Sequence, residues 1–224
     1  MKISVVIPTM NEEESIGQVI DEIDETLSGR DYEILIVDTE STDKTREIAR
    51  SKGAKIVDEP RRGYGRAYKT GFEEADGDII VTLDADCTYP ASKIPQMVVM
   101  IEEEGYEFIS TDRLSNIDSE AMSLVHRFGN WVLKATMNLL FRTHVNDSQS
   151  GMWAFRKSSL RHLNVTSDGM SFSEEIKIEA VNKDLNFDEI PINLRPRKGE
   201  AKIRSWKDGF KNWAFLFKKR FGLV

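Results

Sequence analysis

Asp78-Ile79-Ile80-Val81-Thr82-Leu83-Asp84-Ala85-Asp86 is the stretch whose reading decides the fold. A short apolar run rich in β-branched residues, ended by two acids, predicts a strand buried on both faces. Such strands belong to parallel sheets covered by helices. Working outward, similar runs stand at 3–7, 33–37 and 55–57 before it and at 107–111 after it. Helix-length amphipathic stretches at 12–27, 42–52, 65–74 and 92–103 separate them, and Thr42-Asp43 supplies cap-type residues. Strand and helix in alternation predict a Rossmann-like α/β fold with a mostly parallel sheet.

After Thr111 the rhythm changes. A helix-prone segment at 120–141 leads to a glycine-containing loop, a strand near 153–156, a helix near 172–183 and a strand near 189–194, a smaller mixed C-terminal part. Met122, Val125, Phe128, Val132 and Met137 fall at broadly helical spacing and are expected in the core. In the tail Trp206, Phe210, Trp213 and Phe217 share one face, flanked by Lys207, Lys211, Lys218, Lys219 and Arg220, the pattern of an interfacial helix. The expected organisation is one domain over 1–204 and a basic amphipathic helix over 205–224.

In open α/β sheets ligands bind beyond the carboxyl ends of the strands. Those ends are polar here: Pro8-Thr9-Met10-Asn11-Glu12, Asp38-Thr39-Glu40-Ser41-Thr42-Asp43 and Asp84-Ala85-Asp86. Two carboxylates one residue apart at a strand end can both reach a hard cation such as Mg²⁺ or Mn²⁺, with phosphate oxygens completing its shell. An isolated Asp-x-Asp is more often a solvated turn, and Asp38 or Asp43 equally suits a helix cap. The apolar approach of residues 79–83 favours the site over the turn.

The motifs Pro8-x-x-Asn11-Glu12, Val37-Asp38 with Ser41-Thr42-Asp43, Gly63-x-Gly65-x-Ala67, Gly71, Ala75-x-Gly77-Asp78 and Asp84-Ala85-Asp86 occur in that order. With them the chain resembles the family 2 glycosyltransferases of GT-A fold. Asp147-Ser148-Gln149-Ser150-Gly151, Glu189-Ile190-Pro191-Ile192 and Arg197-Lys198-Gly199-Glu200-Ala201-Lys202 make it most similar to the dolichyl-phosphate and polyprenyl-phosphate sugar synthases. Each motif alone is weak; the ordered set covers nearly the whole chain.

That resemblance implies a donor site lined by Pro8, Met10, Asn11, Glu12, Asp38, Gly65, Arg66, Asp84 and Ala85, with Mg²⁺ or Mn²⁺ held by Asp84 and Asp86. It implies inverting transfer of a hexose or N-acetylhexosamine from a UDP- or GDP-linked donor to dolichyl or polyprenyl phosphate. Asp86, Arg113, Asp147, Arg197 and Lys202 would carry catalysis, and Arg113, Arg127, Gln149, Arg197 and Lys202 the acceptor, since a phosphate calls for clustered cations. Many relatives carry Asp-Asp where this chain has Asp38-Thr39, and mannose-type synthases usually have Gln where Thr88 stands. Donor identity stays open. An alternative is transfer to a saccharide hydroxyl with Asp147 as general base.

Composition sets the outer bounds. The 224 residues are 40% hydrophobic and 31% charged, enough to bury a core, and the single cysteine, Cys87, precludes an internal disulfide. No run approaches the roughly 20 apolar residues that span a bilayer. The strand-like run beginning at Ile3 leaves no room for a signal peptide, so a cytoplasmic chain is expected. The net charge of −7 hides an asymmetry, because residues 195–224 hold ten Lys and Arg against two acids. An anionic partner is expected for that end, a membrane surface at the cytosolic face rather than a nucleic acid. His126 and His144 are assigned no chemistry.

Overall fold

The computed structural model describes residues 1–115, 124–199 and 205–223. Seven strands form one sheet: β1 (Ile3–Thr9), β2 (Tyr32–Asp38), β3 (Lys55–Asp58), β4 (Ile79–Thr82), β5 (Phe108–Asp112), β6 (Trp153–Arg156) and β7 (Phe187–Pro191). Their order is β3-β2-β1-β4-β6-β5-β7. The β1, β2, β3 and β4 pairings are parallel, β6 runs antiparallel between β4 and β5, and β7 pairs parallel with β5. The expected mostly parallel sheet with a mixed C-terminal part is observed.

Among the described residues the α-helices are α1 (Ile16–Thr26), α2 (Thr45–Ser51), α3 (Tyr64–Glu74), α4 (Ile94–Glu102), α5 (Leu124–Phe141), α6 (Phe172–Asn182) and α7 (Ser205–Arg220). Side chains alternate across each strand, so one sheet builds two cores. Ile3, Val5 and Ile7 with Ile34 and Ile36 face α1 and α4, whereas Val6, Leu35 and Val37 face α3 and α6. A third cluster joins Leu133, Met137, Val145, Ile178 and Leu216, tying α7 to α5 and α6.

Three expectations shift. The last strand is at Phe187–Pro191 rather than 189–194, because it pairs in register with Phe108–Asp112 and its partner's end stops it. Helix α1 starts at Ile16 instead of Glu12, since the backbone of Ser15 and Ile16 turns back on the Glu12 carbonyl. Strand β3 is a half-exposed edge and not a strand buried on both faces. Phe128 is also a correction: it is 67% exposed, while Met137 is buried. Met122 lies outside the described residues.

Candidate active site at the carboxyl ends of β1, β2 and β4

The chain runs β1, β2, β3 to one side and then returns to place β4 on the other flank of β1. That reversal opens a crevice at the strand ends, where α/β proteins take ligands. The loops after β1 and β2 are tied across it. Asn11, at φ 54°, donates its backbone N–H to Ser41 Oγ at 2.8 Å, and its Oδ1 accepts the Thr42 N–H at 2.8 Å. Glu12 N–H donates to Thr45 Oγ1 at 2.7 Å, and Asp43 accepts the N–H groups of Glu13 and Thr45 at 3.0 and 2.9 Å. Asp43 therefore both turns the chain into α2 and joins the two loops.

Asp38 is buried, with Oδ2 accepting from Thr9 Oγ1 at 3.0 Å and Ser41 Oγ at 2.5 Å. Pro8 pairs with Val37 in the β1–β2 register, and Met10 follows at the loop's start. Buried Ala85 points into the core and lets the acids on either side face the crevice. Asp84 Oδ1 accepts from Tyr64 Oη at 3.2 Å. Burial first and the neighbouring Asp86 charge second push Asp84 up to about 7, against the Tyr64 hydrogen bond and the charges of Arg113 and Arg197. Asp86 Oδ1 accepts Thr88 N–H at 3.0 Å and Thr88 Oγ1 at 2.6 Å.

The segment before residue 200 lies along this edge. Its backbone donates from Arg195 to Thr88 O at 2.9 Å and from Lys198 to Asp86 O at 3.0 Å. Arg197 Nη1 reaches Asp86 Oδ2 at 2.9 Å, with Nη2 3.8 Å from Glu12 Oε1. Arg195 pairs with Glu22 at 2.6 Å. Lys202 lies outside the described residues.

On the other side of Asp84 stands the 147–151 loop. Asp147 is wholly buried and forked onto Arg113, with Nε at 2.6 Å and Nη2 at 2.9 Å, and also accepts the Arg113 N–H at 3.1 Å. Burial would raise its pKa, but the Arg113 charge and hydrogen bonds hold it down at about 2. Lys177 Nζ, buried on α6, donates to the carbonyls of Asp147 at 2.6 Å and Ser150 at 3.0 Å. Glu189 accepts the Asn146 and Asp147 N–H groups. Gly151 completes the loop: a Cβ there would collide with Tyr64 Oη and come within 3.4 Å of both Asp84 oxygens, so glycine permits the close approach.

Several candidates sit elsewhere than the sequence alone suggested. The room at Gly63 and Gly65 is taken by protein backbone, since a Cβ on Gly65 would meet Ser167 O at 2.5 Å. Arg66 pairs with Asp168 at 3.0 Å. Gln149 has its amide bonded to Glu174 and Asn212, each at 2.8 Å. Arg127 stands on the first turns of α5, a helix that packs against α7 and α6. Among the described residues no group of three or more His, Cys, Asp and Glu side chains is arranged to hold a metal ion.

Tyr64, Tyr89 and Lys177 are residues of this site that sequence reasoning passed over, and Glu189 stood in a quoted motif without a role. Tyr89 Oη accepts the Gly151 N–H at 2.7 Å. One signal was available: α6 is buried all round from Phe172 to Ala180, and a lysine inside such a helix must serve buried partners.

Comparison with known proteins follows this geometry. The family model described as Glycosyl transferase family 2 matches residues 4–163. The low-salt glycan biosynthesis hexosyltransferase Agl6 of Haloferax volcanii is 35% identical over 96% of this chain, which spans 52% of that protein's length. The dolichyl-phosphate hexose transferase of the same organism is 34% identical, covering 92% of this chain and 89% of the relative. Among solved structures, glucosyl-3-phosphoglycerate synthase from Mycobacterium tuberculosis, in complex with Mn²⁺, UDP and phosphoglyceric acid, superposes with a TM-score of 0.80. It is 22% identical, with 99% of this chain and 78% of that one covered.

Proposed function

The chain belongs to glycosyl transferase family 2, and from that premise we propose that it moves a hexose or N-acetylhexosamine from a nucleotide-linked donor to a dolichyl or polyprenyl phosphate. The observation that carries the reading is the meeting of opposite charges at the end of β4, where Asp84 lies within the fields of Asp86, Arg113 and Arg197 and Arg197 pairs with Asp86 at 2.9 Å. A sugar diphosphate needs the acid pair and a phosphate acceptor the arginine pair. The 34% identical relative is named for transfer to dolichyl phosphate.

Mg²⁺ or Mn²⁺ fits the residues present. Arg197 Nη1, 2.9 Å from Asp86 Oδ2, is a cationic group already balanced by this carboxylate, and two acids with substrate oxygens make an ordinary Mg²⁺ shell. Asp84 and Asp86 would hold the ion, whose chemistry is to offset charge on the departing nucleoside diphosphate. Glu12, Asp38, Pro8, Met10 and Asn11 bind and orient the nucleoside. Arg113, Arg197 and Lys202 draw the acceptor phosphate toward the anomeric carbon, with Arg127 as a further cation for it.

An acceptor phosphate is ionised near neutral pH and needs no base. A saccharide hydroxyl does need one, and Asp147 at about 2, forked onto Arg113, is poorly matched to that task. This favours the lipid phosphate over the saccharide. The aromatic face of α7 and its basic flank suit attachment to the cytosolic face of a membrane; no helix among the described residues is long and apolar enough to cross one.

The test is a panel of UDP- and GDP-linked sugars against a short polyprenyl phosphate and a set of saccharides, scored for product with and without EDTA. Lipid-linked product from one donor, lost in EDTA and in Asp86→Ala, is expected. Saccharide product alone would overturn the acceptor, and full turnover in EDTA the metal.

A further inference from the structure

Helix α7 and the loop beside Asp84 are joined by a chain of buried amides. Asn212 on α7 faces inward, 6% exposed, and its Nδ2 donates to Gln149 Oε1 at 2.8 Å. Gln149 Nε2 then donates to Glu174 Oε2 at 2.8 Å. Glu174 is fully buried on α6, and its other oxygen has no hydrogen-bond partner among the described residues. Gln149 stands midway between Asp147, which grips Arg113, and Gly151, whose backbone lies against Asp84. Movement of α7 at Asn212 must therefore carry Gln149 with it or leave a buried amide oxygen unpaired.

The other face of the same turns points outward. Phe210 is 67% exposed and Trp213 37%, their rings 6.1 Å apart, and Trp213 meets Phe217 edge-on at 4.8 Å. Farther along, Lys219 ties the helix to α6 through Glu175 at 3.0 Å and Glu179 at 2.8 Å, so α7 meets the fold through an ion-pair anchor there and through the amide chain at Asn212. Within the 205–220 span of α7 the sequence holds Lys207, Lys211, Lys218, Lys219 and Arg220 against Asp208 alone, a charge balance that suits the aromatic face to an anionic lipid surface.

We propose that Asn212 is a positioning residue that couples an anionic lipid surface on the aromatic face of α7 to the Asp147-to-Gly151 loop, so that transfer is faster at a surface than in free solution. The inference rests on the acceptor and membrane reading above, and its test separates the two. Turnover is measured on a water-soluble short-chain prenyl phosphate, with and without acceptor-free vesicles of phosphatidylcholine and phosphatidylglycerol. Amide hydrogen exchange across residues 147–151 is followed under both conditions.

Vesicles are expected to raise wild-type turnover on the order of tenfold, a usual size for coupling between two sites, and to slow exchange in the loop. Asn212→Ala should sediment with vesicles as wild type does, with unchanged donor KM, yet show neither response. Asn212→Ser, too short to reach Gln149 but still polar, should behave alike and guards against simple misfolding. In a Gln149→Ala background, Asn212→Ala should add nothing. If no lipid phosphate accepts sugar while loop exchange responds to vesicles in wild type and not in the variants, the acceptor reading falls and the coupling stands. Equal responses in wild type and both Asn212 variants, or none in wild type, would overturn the coupling.

Discussion

A carboxylate that is fully buried and accepts a forked pair from a guanidinium is held ionised, and Asp147 is in that position. Its folded pKa of about 2 lies below the ordinary 3.8, so the group contributes stability that is present above about 4 and lost as pH falls through 2. The difference corresponds to about 2 kcal/mol. Asp147→Asn should lose more than that at neutral pH, on the order of 3 kcal/mol, because Arg113 would keep its charge in a mostly buried place without a counter-ion. Between pH 4 and 2, however, the variant should lose less stability than wild type, since it has no carboxylate there to protonate. Denaturant unfolding at the two pH values checks both signs. Under the phosphate-acceptor reading the folded variant should also keep substantial turnover; complete loss in a folded Asp147→Asn protein that binds both substrates would return the base to consideration.

Helix α7 carries two unlike faces, and each has its own consequence. The inward seam of Asn212, Phe215 and Leu216 is buried against the rest of the fold, whereas Phe210 and Trp213 face out, as do Phe128 and Trp131 of α5. Replacing Phe210 and Trp213 together by Ser should abolish sedimentation with anionic vesicles at low salt while changing stability by only about 0.5 kcal/mol, as for other surface substitutions. Nucleotide affinity should stay put. Undiminished sedimentation would assign the face to something other than lipid. The aromatic face of α7 was legible because its residues recur at helical spacing, but Phe128 was misplaced for a related reason. At about 100° per residue, nine positions from Phe128 to Met137 amount to half a turn, so the two cannot share a core stripe.

At the scale of the molecule, what was legible follows from how local the signal is. Strands β1, β2 and β4 announce themselves by apolar runs, and their polar ends mark the site, because burial and pleat act residue by residue. The antiparallel insertion of Trp153–Arg156 between β4 and β5 was not legible, since nothing in four residues states a strand's direction. Nor was the Lys177 and Glu189 scaffold, whose residues are 27 or more positions from the loop backbone they hold. The whole arrangement nevertheless bears on one stereochemical outcome. Under the proposed function, with the donor diphosphate held at Asp84 and Asp86 and the acceptor phosphate drawn by Arg113 and Arg197, an oxygen of that phosphate attacks the anomeric carbon opposite the leaving diphosphate. Orientation is then the main contribution of the protein, and positioning effects supply about 7–11 kcal/mol. Retention by double displacement would require a protein nucleophile on the attacking side, yet Asp147 is committed to Arg113 and Glu189 to the backbone of residues 146 and 147. The product should therefore carry an inverted anomeric centre, read from the coupling constant of its anomeric proton. Arg197→Ala, which removes one of the two guanidinium groups, should lower kcat or raise acceptor KM without changing that configuration. A retained centre in the wild-type product, or a trapped glycosyl-enzyme, would replace direct displacement with a double one.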